Sequence, residues 1–248
     1  MANPVQQFEI QPLIPLHIGQ VDVSFTNSSL WMMAAVVLAT VVLGMASKKR
    51  ALVPGRMQML SESLYEFIAN MIRDNIGSEG RRYFPLIFTL FVIVLMGNTL
   101  GLIPGSFTYT SHLVVTLALA LLIFVMVLII GVIRHGFHFF SLFLPPGVPT
   151  WLTPLIVPIE LISFIIRPVT LSVRLFANMV AGHIMLKVFA SFSVSMAAAG
   201  SFWFLGAAAP MLFNTILIGF ELLIALLQAY VFTVLSCIYL KDTIHIDH

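Results

Sequence analysis

Charge is what this chain of 248 residues has least of. Only 9% are Asp, Glu, Lys or Arg, against about 25% in soluble domains. That shortage excludes a water-soluble globule, a disordered chain and a coiled coil. Cysteine is nearly missing too: Cys237 stands alone, so an internal disulfide and a multi-cysteine metal site are both excluded. No excess of positive charge points to nucleic acid, since the net charge is +2. The first 30 residues contain no Lys or Arg, which argues against a cleaved signal peptide. No internal repeat or low-complexity run is visible, and this weakens an inverted-repeat transporter. What is present is apolar: 60% hydrophobic residues and a mean hydropathy of +1.04. The composition predicts an all-α membrane protein in a lipid bilayer. Its length suits about five membrane-embedded helices, with no separate soluble domain.

The expected organisation is a single membrane domain over 1–248. Residues 1–29 form an N-terminal segment on the outer side. A first span covers 30–46, with Trp31 as an aromatic anchor and Lys48, Lys49 and Arg50 as a positive stop. Over 57–78 apolar residues recur at helical spacing (Leu60, Leu64, Phe67, Met71) with Glu62, Glu66, Arg73 and Asp74 between them. This predicts an amphipathic helix lying at the membrane surface. Spans at 84–103, closed by Pro104, and 112–133, stopped by Arg134, follow. A loop rich in Pro and Gly is expected from His135 to Thr153.

Residues 154–240 hold two long apolar stretches, Pro154 to about Ser191 and about Met211 to Leu240. As one helix the first is about 57 Å long, against a hydrocarbon core of about 30 Å. It must break, with Pro168 as the obvious place, or incline beyond the usual tilt. The expectation is a strongly tilted helical hairpin, with the link Ala197–Pro210 as its turn. Residues 47–83 hold seven Lys and Arg (Lys48, Lys49, Arg50, Arg56, Arg73, Arg81 and Arg82). The excess places the N-terminus outside and the C-terminus in the cytoplasm.

Inside the last two stretches sit Glu160, Arg167, Arg174, Lys187 and Glu221. A cation at mid-helix costs roughly 2.5–3.5 kcal/mol on insertion scales and marks an ion path by default. At about 100° per residue, Glu160, Arg167, Arg174 and Asn178 share one face, while His183 and Lys187 lie on another. Asn214, Glu221 and Gln228 are seven apart and make a further stripe. Blander roles suit several of them. Glu160 and Lys187 fit snorkelling to the interface. Arg167 fits an ion pair with Glu160, and Asn178, Asn214 and Gln228 fit interhelical hydrogen bonding. Arg174 resists such a role, because its helix offers no acid within four residues. Its partner must come from Glu221, water or another chain.

Arg keeps its proton and so cannot relay one, but it attracts a carboxylate. His183 and Glu221 can relay a proton. A relay pair beside a fixed positive charge describes a gated proton path. The pairs His135 and His138, and His245 and His248, lack a carboxylate or cysteine set that completes a metal site, so no metal and no cofactor is expected. Gly97, Gly101 and Gly105 lack the context of a phosphate loop.

The segment Arg167-Pro168-Val169-Thr170-Leu171-Ser172-Val173-Arg174-Leu175-Phe176-Ala177-Asn178-Met179 resembles the signature of subunit a of the rotary ATP synthases. So does Gly97-Asn98-Thr99-Leu100-Gly101-Leu102-Ile103-Pro104, upstream and in the right order, and the stretch around Glu221 and Gln228 fits as well. The resemblance covers about residues 30–240. It implies the stator half of an ion motor in an inner membrane, bacterial or mitochondrial. The implied partners are a ring of c subunits, the peripheral-stalk b subunits and the rest of the synthase. Arg174 matches the family's essential arginine, which meets each ring carboxylate and blocks a leak between two offset half-channels. Glu221, His183, Asn178 and Gln228 match positions along the outer half-channel, and Glu160 a position on the inner route. One departure stands out. Several bacterial members carry Glu where this chain has His183, and His where it has Glu221. The exchanged arrangement resembles mitochondrial and alphaproteobacterial forms. The resemblance implies that the chain makes no bond by itself. The competing readings are a secondary transporter with a mid-membrane Arg–Glu pair and an intramembrane metalloenzyme.

Overall fold

The computed structural model describes residues 8–15, 17–18, 21–22, 24–47, 54–103, 105–144, 151–198 and 201–244. Lys48, Lys49, Arg50, Pro104, His245 and His248 lie outside these residues, as does the His138 side chain. The helices are α1 (Asn27–Ser47), α2 (Arg56–Ile76), α3 (Phe84–Gly101), α4 (Leu113–His135), α5 (Thr153–Ala198) and α6 (Ser201–Ile244). Five segments are long and apolar enough to cross a membrane: α1, α3 with the turn before it, α4, α5 and α6. The helical membrane fold expected from composition is therefore the fold observed.

Local chemistry sets the helix ends. Thr26 Oγ1 accepts from Ser29 N–H at 3.4 Å at the start of α1, the geometry of an N-cap. Just before it, Pro12–Ile14 pairs antiparallel with Phe25–Thr26, and His17–Ile18 pairs with Val21–Asp22. These short ribbons were not foreseen, although residues 21–26 alternate apolar and polar side chains. In α2 the buried residues Ile68, Met71, Ile72 and Ile76 share one face, as its amphipathic spacing predicts. Gly77 ends that helix at φ 88° and donates its N–H to Arg73 O, a backbone region that favours glycine.

The structure narrows two expectations about the long helices: of the two alternatives for the first stretch, the break at Pro168 is not taken, and the expected link is mostly helix. First, α5 runs unbroken through Pro158 and Pro168 for 46 residues, about 69 Å. A proline removes one backbone bond. A full break in an apolar setting would strand several more polar groups, which is the larger cost. Second, the link Ala197–Pro210 is mostly helix: α5 reaches Ala198 and α6 begins at Ser201. Its alanines favour helix, and α6 extends for 44 residues with Pro210 inside it, about 66 Å. The stretch expected as a loop from His135 to Thr153 contains a 3-10 helix over Gly136–Phe143.

The chain packs as two compact units. The first comprises residues 1–42, 92–112 and 175–229; the second comprises 43–91, 113–174 and 230–248. In the first, the later part of α5 lies antiparallel to the earlier part of α6, with Phe189 and Phe213 ring centroids 4.8 Å apart. Leu175, Met179, Ala225 and Ala229 are fully buried there. In the second, Phe139, Phe143 and Phe164 form an aromatic core. Thr116 and Ser172 hydroxyls meet at 3.1 Å, tying α4 to α5.

Candidate functional site

In the first unit the structure brings four of the polar residues together in two pairs across the α5–α6 seam. His183 Nδ1 stands 3.7 Å from Glu221 Oε1. About a turn and a half along, Asn178 Nδ2 donates to Gln228 Oε1 at 2.8 Å. The face assignment from helical periodicity put Asn178 with Arg174 and away from His183, yet both Asn178 and His183 reach α6. Residues on either flank of a helix seam can both meet the partner when it offers long side chains such as Gln228 and Glu221. Glu221 is 3% exposed, and neither of its carboxyl oxygens has a hydrogen-bond partner among the described residues. Such unfilled acceptor capacity in a buried carboxyl is unusual in a merely structural site.

The neighbours that hold this pair were not legible as functional residues. Thr108, just before the 3-10 turn at Tyr109–Ser111, hydrogen-bonds to His183 Nε2 at 3.0 Å. The same hydroxyl donates to Gly101 O at 3.2 Å. A carbonyl only accepts, so the single hydroxyl proton is committed to it. The Thr108 oxygen then accepts from His183 Nε2–H, and the Nδ1 lone pair of the neutral ring faces Glu221. The network thus assigns the tautomer. The Gly97–Gly101 motif earns its glycines by close packing: a Cβ on Gly97 would strike the Tyr109 ring, and one on Gly101 would strike Thr108. Between them, Asn98 Nδ2 donates to Ala225 O at 3.3 Å and fastens α3 to α6. Gly182 does the same for the site itself, since a Cβ there would lie 2.6 Å from Glu221 Oε1. A helical glycine costs about 1 kcal/mol relative to alanine, and that anomaly beside His183 was the available signal.

A cavity of about 400 Å³ opens against His183. Lys187, Asn214, Ser106, Thr108 and Phe8 contribute to its wall. Asn214 Oδ1 is buried without a hydrogen-bond partner among the described residues. The Phe8 ring meets the imidazole edge-on, with centroids 6.3 Å apart. Lys187 and Asn214 therefore share the space that reaches the imidazole.

The second unit holds the remaining charges. Arg167 Nη2 lies 3.8 Å from Glu160 Oε1, the pairing suggested by their spacing. A nearer partner went unforeseen: Arg167 Nη1 meets Asp242 Oδ2 at 3.0 Å. In sequence Asp242 looked like part of a polar tail. The guanidinium also lies over Tyr239, 5.3 Å from its ring centroid. These side chains are about one-third exposed, so each pair contributes at most about 1 kcal/mol. Arg174 is exposed, and within its own unit no described carboxylate pairs with it. Among the described residues no group of three or more His, Cys, Asp or Glu is placed to hold a metal ion.

Comparison with known proteins agrees with this architecture. The family model described as ATP synthase A chain matches residues 28–241. The protein called ATP synthase subunit a from Paramagnetospirillum magneticum is 54% identical over 248 residues, covering 99% of each chain. Its namesake from Chelativorans is 55% identical over 247 residues, covering 100% of this chain and 99% of the relative. That from Rhodospirillum rubrum is 55% identical over 245 residues, with 99% of each covered. A match this long and this close, on a chain with five membrane-crossing segments, shows that the chain belongs to the ATP synthase A chain family and is a multi-pass, membrane-sector subunit of that synthase.

Proposed function

We propose that this subunit conducts protons along its α5–α6 seam and passes them to a rotating ring of c subunits, coupling proton flow to ATP synthesis. The observation that carries the proposal is the buried His183–Glu221 pair, 3.7 Å apart, whose imidazole lines a cavity of about 400 Å³. Protons enter through that cavity, past Lys187 and Asn214. His183 accepts a proton at Nδ1 and exchanges it with the Glu221 carboxyl. Thr108 is a positioning residue that keeps Nδ1 turned toward the carboxyl. The Asn178–Gln228 pair continues the polar track along the seam, seven residues or about 10 Å from Glu221 along α6.

Arg174 is the fixed charge of the motor. A guanidinium holds its proton at any physiological pH, so it cannot shuttle one. It attracts the carboxylate of each passing ring subunit and keeps free protons from crossing directly between the two half-channels. That no described carboxylate of its own unit pairs with it suits a cation that waits for an acid from another chain. Glu160, beside Arg167, lies on the exit route toward the inner side. The long helices α5 and α6 exceed the thickness of a bilayer core, which supports a strongly tilted hairpin facing the ring. The Lys and Arg distribution supports an N-terminus outside and a C-terminus in the cytoplasm, in a bacterial inner membrane. Peripheral-stalk b subunits hold the chain static while the ring turns. One proton crossing about 150 mV releases roughly 3.5 kcal/mol, so several transfers are summed by rotation, and this chain makes no bond itself.

The test is Arg174→Ala in the assembled synthase, reconstituted in vesicles. Proton-driven ATP synthesis is expected to stop, with a passive leak in its place. Near-normal synthesis from a fully assembled complex would end the proposal.

A further inference from the structure

A second polar cavity lies far from the proton path in sequence and wholly within the second unit. It has a volume of about 650 Å³. Ser78, Glu79, Arg82 and Tyr83 line it from the 3-10 helix Ser78–Tyr83, and Ile133 and Arg134 from the end of α4. Its membrane level follows from topology. The 3-10 helix leads directly into α3 and Arg134 closes α4. These are consecutive crossings, so the start of one and the end of the other share a membrane face. The cavity therefore sits at headgroup depth, on the face where Arg73, Arg81, Arg82 and Arg134 collect.

The corner is built rather than loose. Gly80 is buried, and a Cβ there would lie 2.6 Å from Ile72 Cγ2, so the 3-10 helix is pressed onto α2. Arg134 is ion-paired with Glu79, which orients its guanidinium. Arg82 is exposed and forms no ion pair among the described residues. Beside these cations two apolar side chains stand far out: Ile133 is 80% exposed and Phe137 is 94% exposed. Cations at headgroup level next to outward apolar side chains match an amphiphile with an anionic head.

We propose that this cavity binds the phosphodiester headgroup of an anionic phospholipid. Arg82 supplies the uncommitted guanidinium, whose planar fork suits two phosphate oxygens. Arg134 adds a second donor without leaving Glu79, and the Ser78 hydroxyl is within the same wall. The acyl chains lie along Ile133 and Phe137. Basic pockets between membrane helices on the cytoplasmic side are suited to such headgroups. The bound lipid fastens the amphipathic α2 corner to the α3–α4 pair, outside the proton path.

The experiment uses the intact synthase in phosphatidylcholine nanodiscs, titrated with spin-labelled phosphatidylglycerol. The wild type is expected to show a saturable, motionally restricted lipid population. Arg82→Gln, which leaves the Glu79–Arg134 pair in place, should weaken that binding about fivefold. Arg82→Lys should keep part of it, and Arg81→Gln, which alters a cation outside the cavity wall, should change it little. Unaltered restriction in both Arg82→Gln and an Arg82→Gln, Arg134→Gln double variant would overturn the proposal. Displacement of the lipid by millimolar inorganic phosphate would also overturn it, since the ligand would then be a free phosphate. Proton pumping measured on the same samples keeps this outcome separate from the proton-path proposal.

Discussion

Gly182→Ala puts the site geometry to a quantitative test. The added Cβ would lie 2.6 Å from Glu221 Oε1, 3.0 Å from Cδ and 3.3 Å from Cγ. Ordinary contact begins near 3.4 Å, so the carboxyl oxygen must withdraw by about 0.8 Å. The obstacle is the end of a flexible side chain, so the helices need not move. Overpacking of this kind costs about 1 kcal/mol at the low end of its range. The gain in helix propensity from Gly to Ala is also about 1 kcal/mol. The two nearly cancel, and the variant should assemble normally. Function should not be spared. Gly182 precedes His183 on α5, so pushing Glu221 away from α5 also lengthens the 3.7 Å separation from the imidazole. A misplacement of about 1 Å costs up to about 100-fold in a positioned transfer. Proton pumping is therefore expected to fall by about 10- to 100-fold. Dye quenching in inverted vesicles measures the pumping, and native gel electrophoresis measures assembly. Gly44→Ala, where the new Cβ meets open space, is the control and should leave both readings unchanged. Wild-type pumping by assembled Gly182→Ala would refute the idea that contact between His183 and Glu221 limits proton flow.

Two further predictions concern the same pair. Glu221→Leu should slow proton flow, and the exchanged double variant His183→Glu with Glu221→His should recover part of it. A double variant no better than either single change would show that the residues do not act as a pair. Thr108→Val removes the acceptor for His183 Nε2–H and frees the ring tautomer, whereas Thr108→Ser retains the hydroxyl. Flow should drop about tenfold or more in the first and stay near normal in the second. Nitrogen NMR of labelled histidine should show the Nε2–H form lost only in Thr108→Val, and an unchanged tautomer would rule out the positioning role.

The membrane class was legible because it depends on composition. Few charges and long apolar runs mark the segments long and apolar enough to cross a membrane, and the spacing of apolar residues in 56–76 marks an amphipathic helix. The charged residues of α5 and α6 were visible for the same reason, since each one is anomalous in an apolar run. Partners were harder. Arg167 with Glu160 follows from helical spacing, but Arg167 with Asp242 joins residues 75 positions apart, and no local pattern encodes it. Thr108 was invisible because a threonine in a short connection is commonplace until its neighbour is known.

Sequence alone determined that this chain lives in a membrane, that its last helices outrun the bilayer, and that Arg174, His183 and Glu221 are the residues whose presence in apolar runs demands a reason. Those facts rest on transfer cost and periodicity, which each segment carries by itself. Tertiary structure decided which polar groups meet. It set His183 against Glu221 and Asn178 against Gln228, emptied the Gly182 position to make room for a carboxyl, and fixed the imidazole's free lone pair through Thr108. Contacts of that kind depend on how the α5–α6 seam is registered and on what the α3–α4 connection places above it, and only packing supplies both.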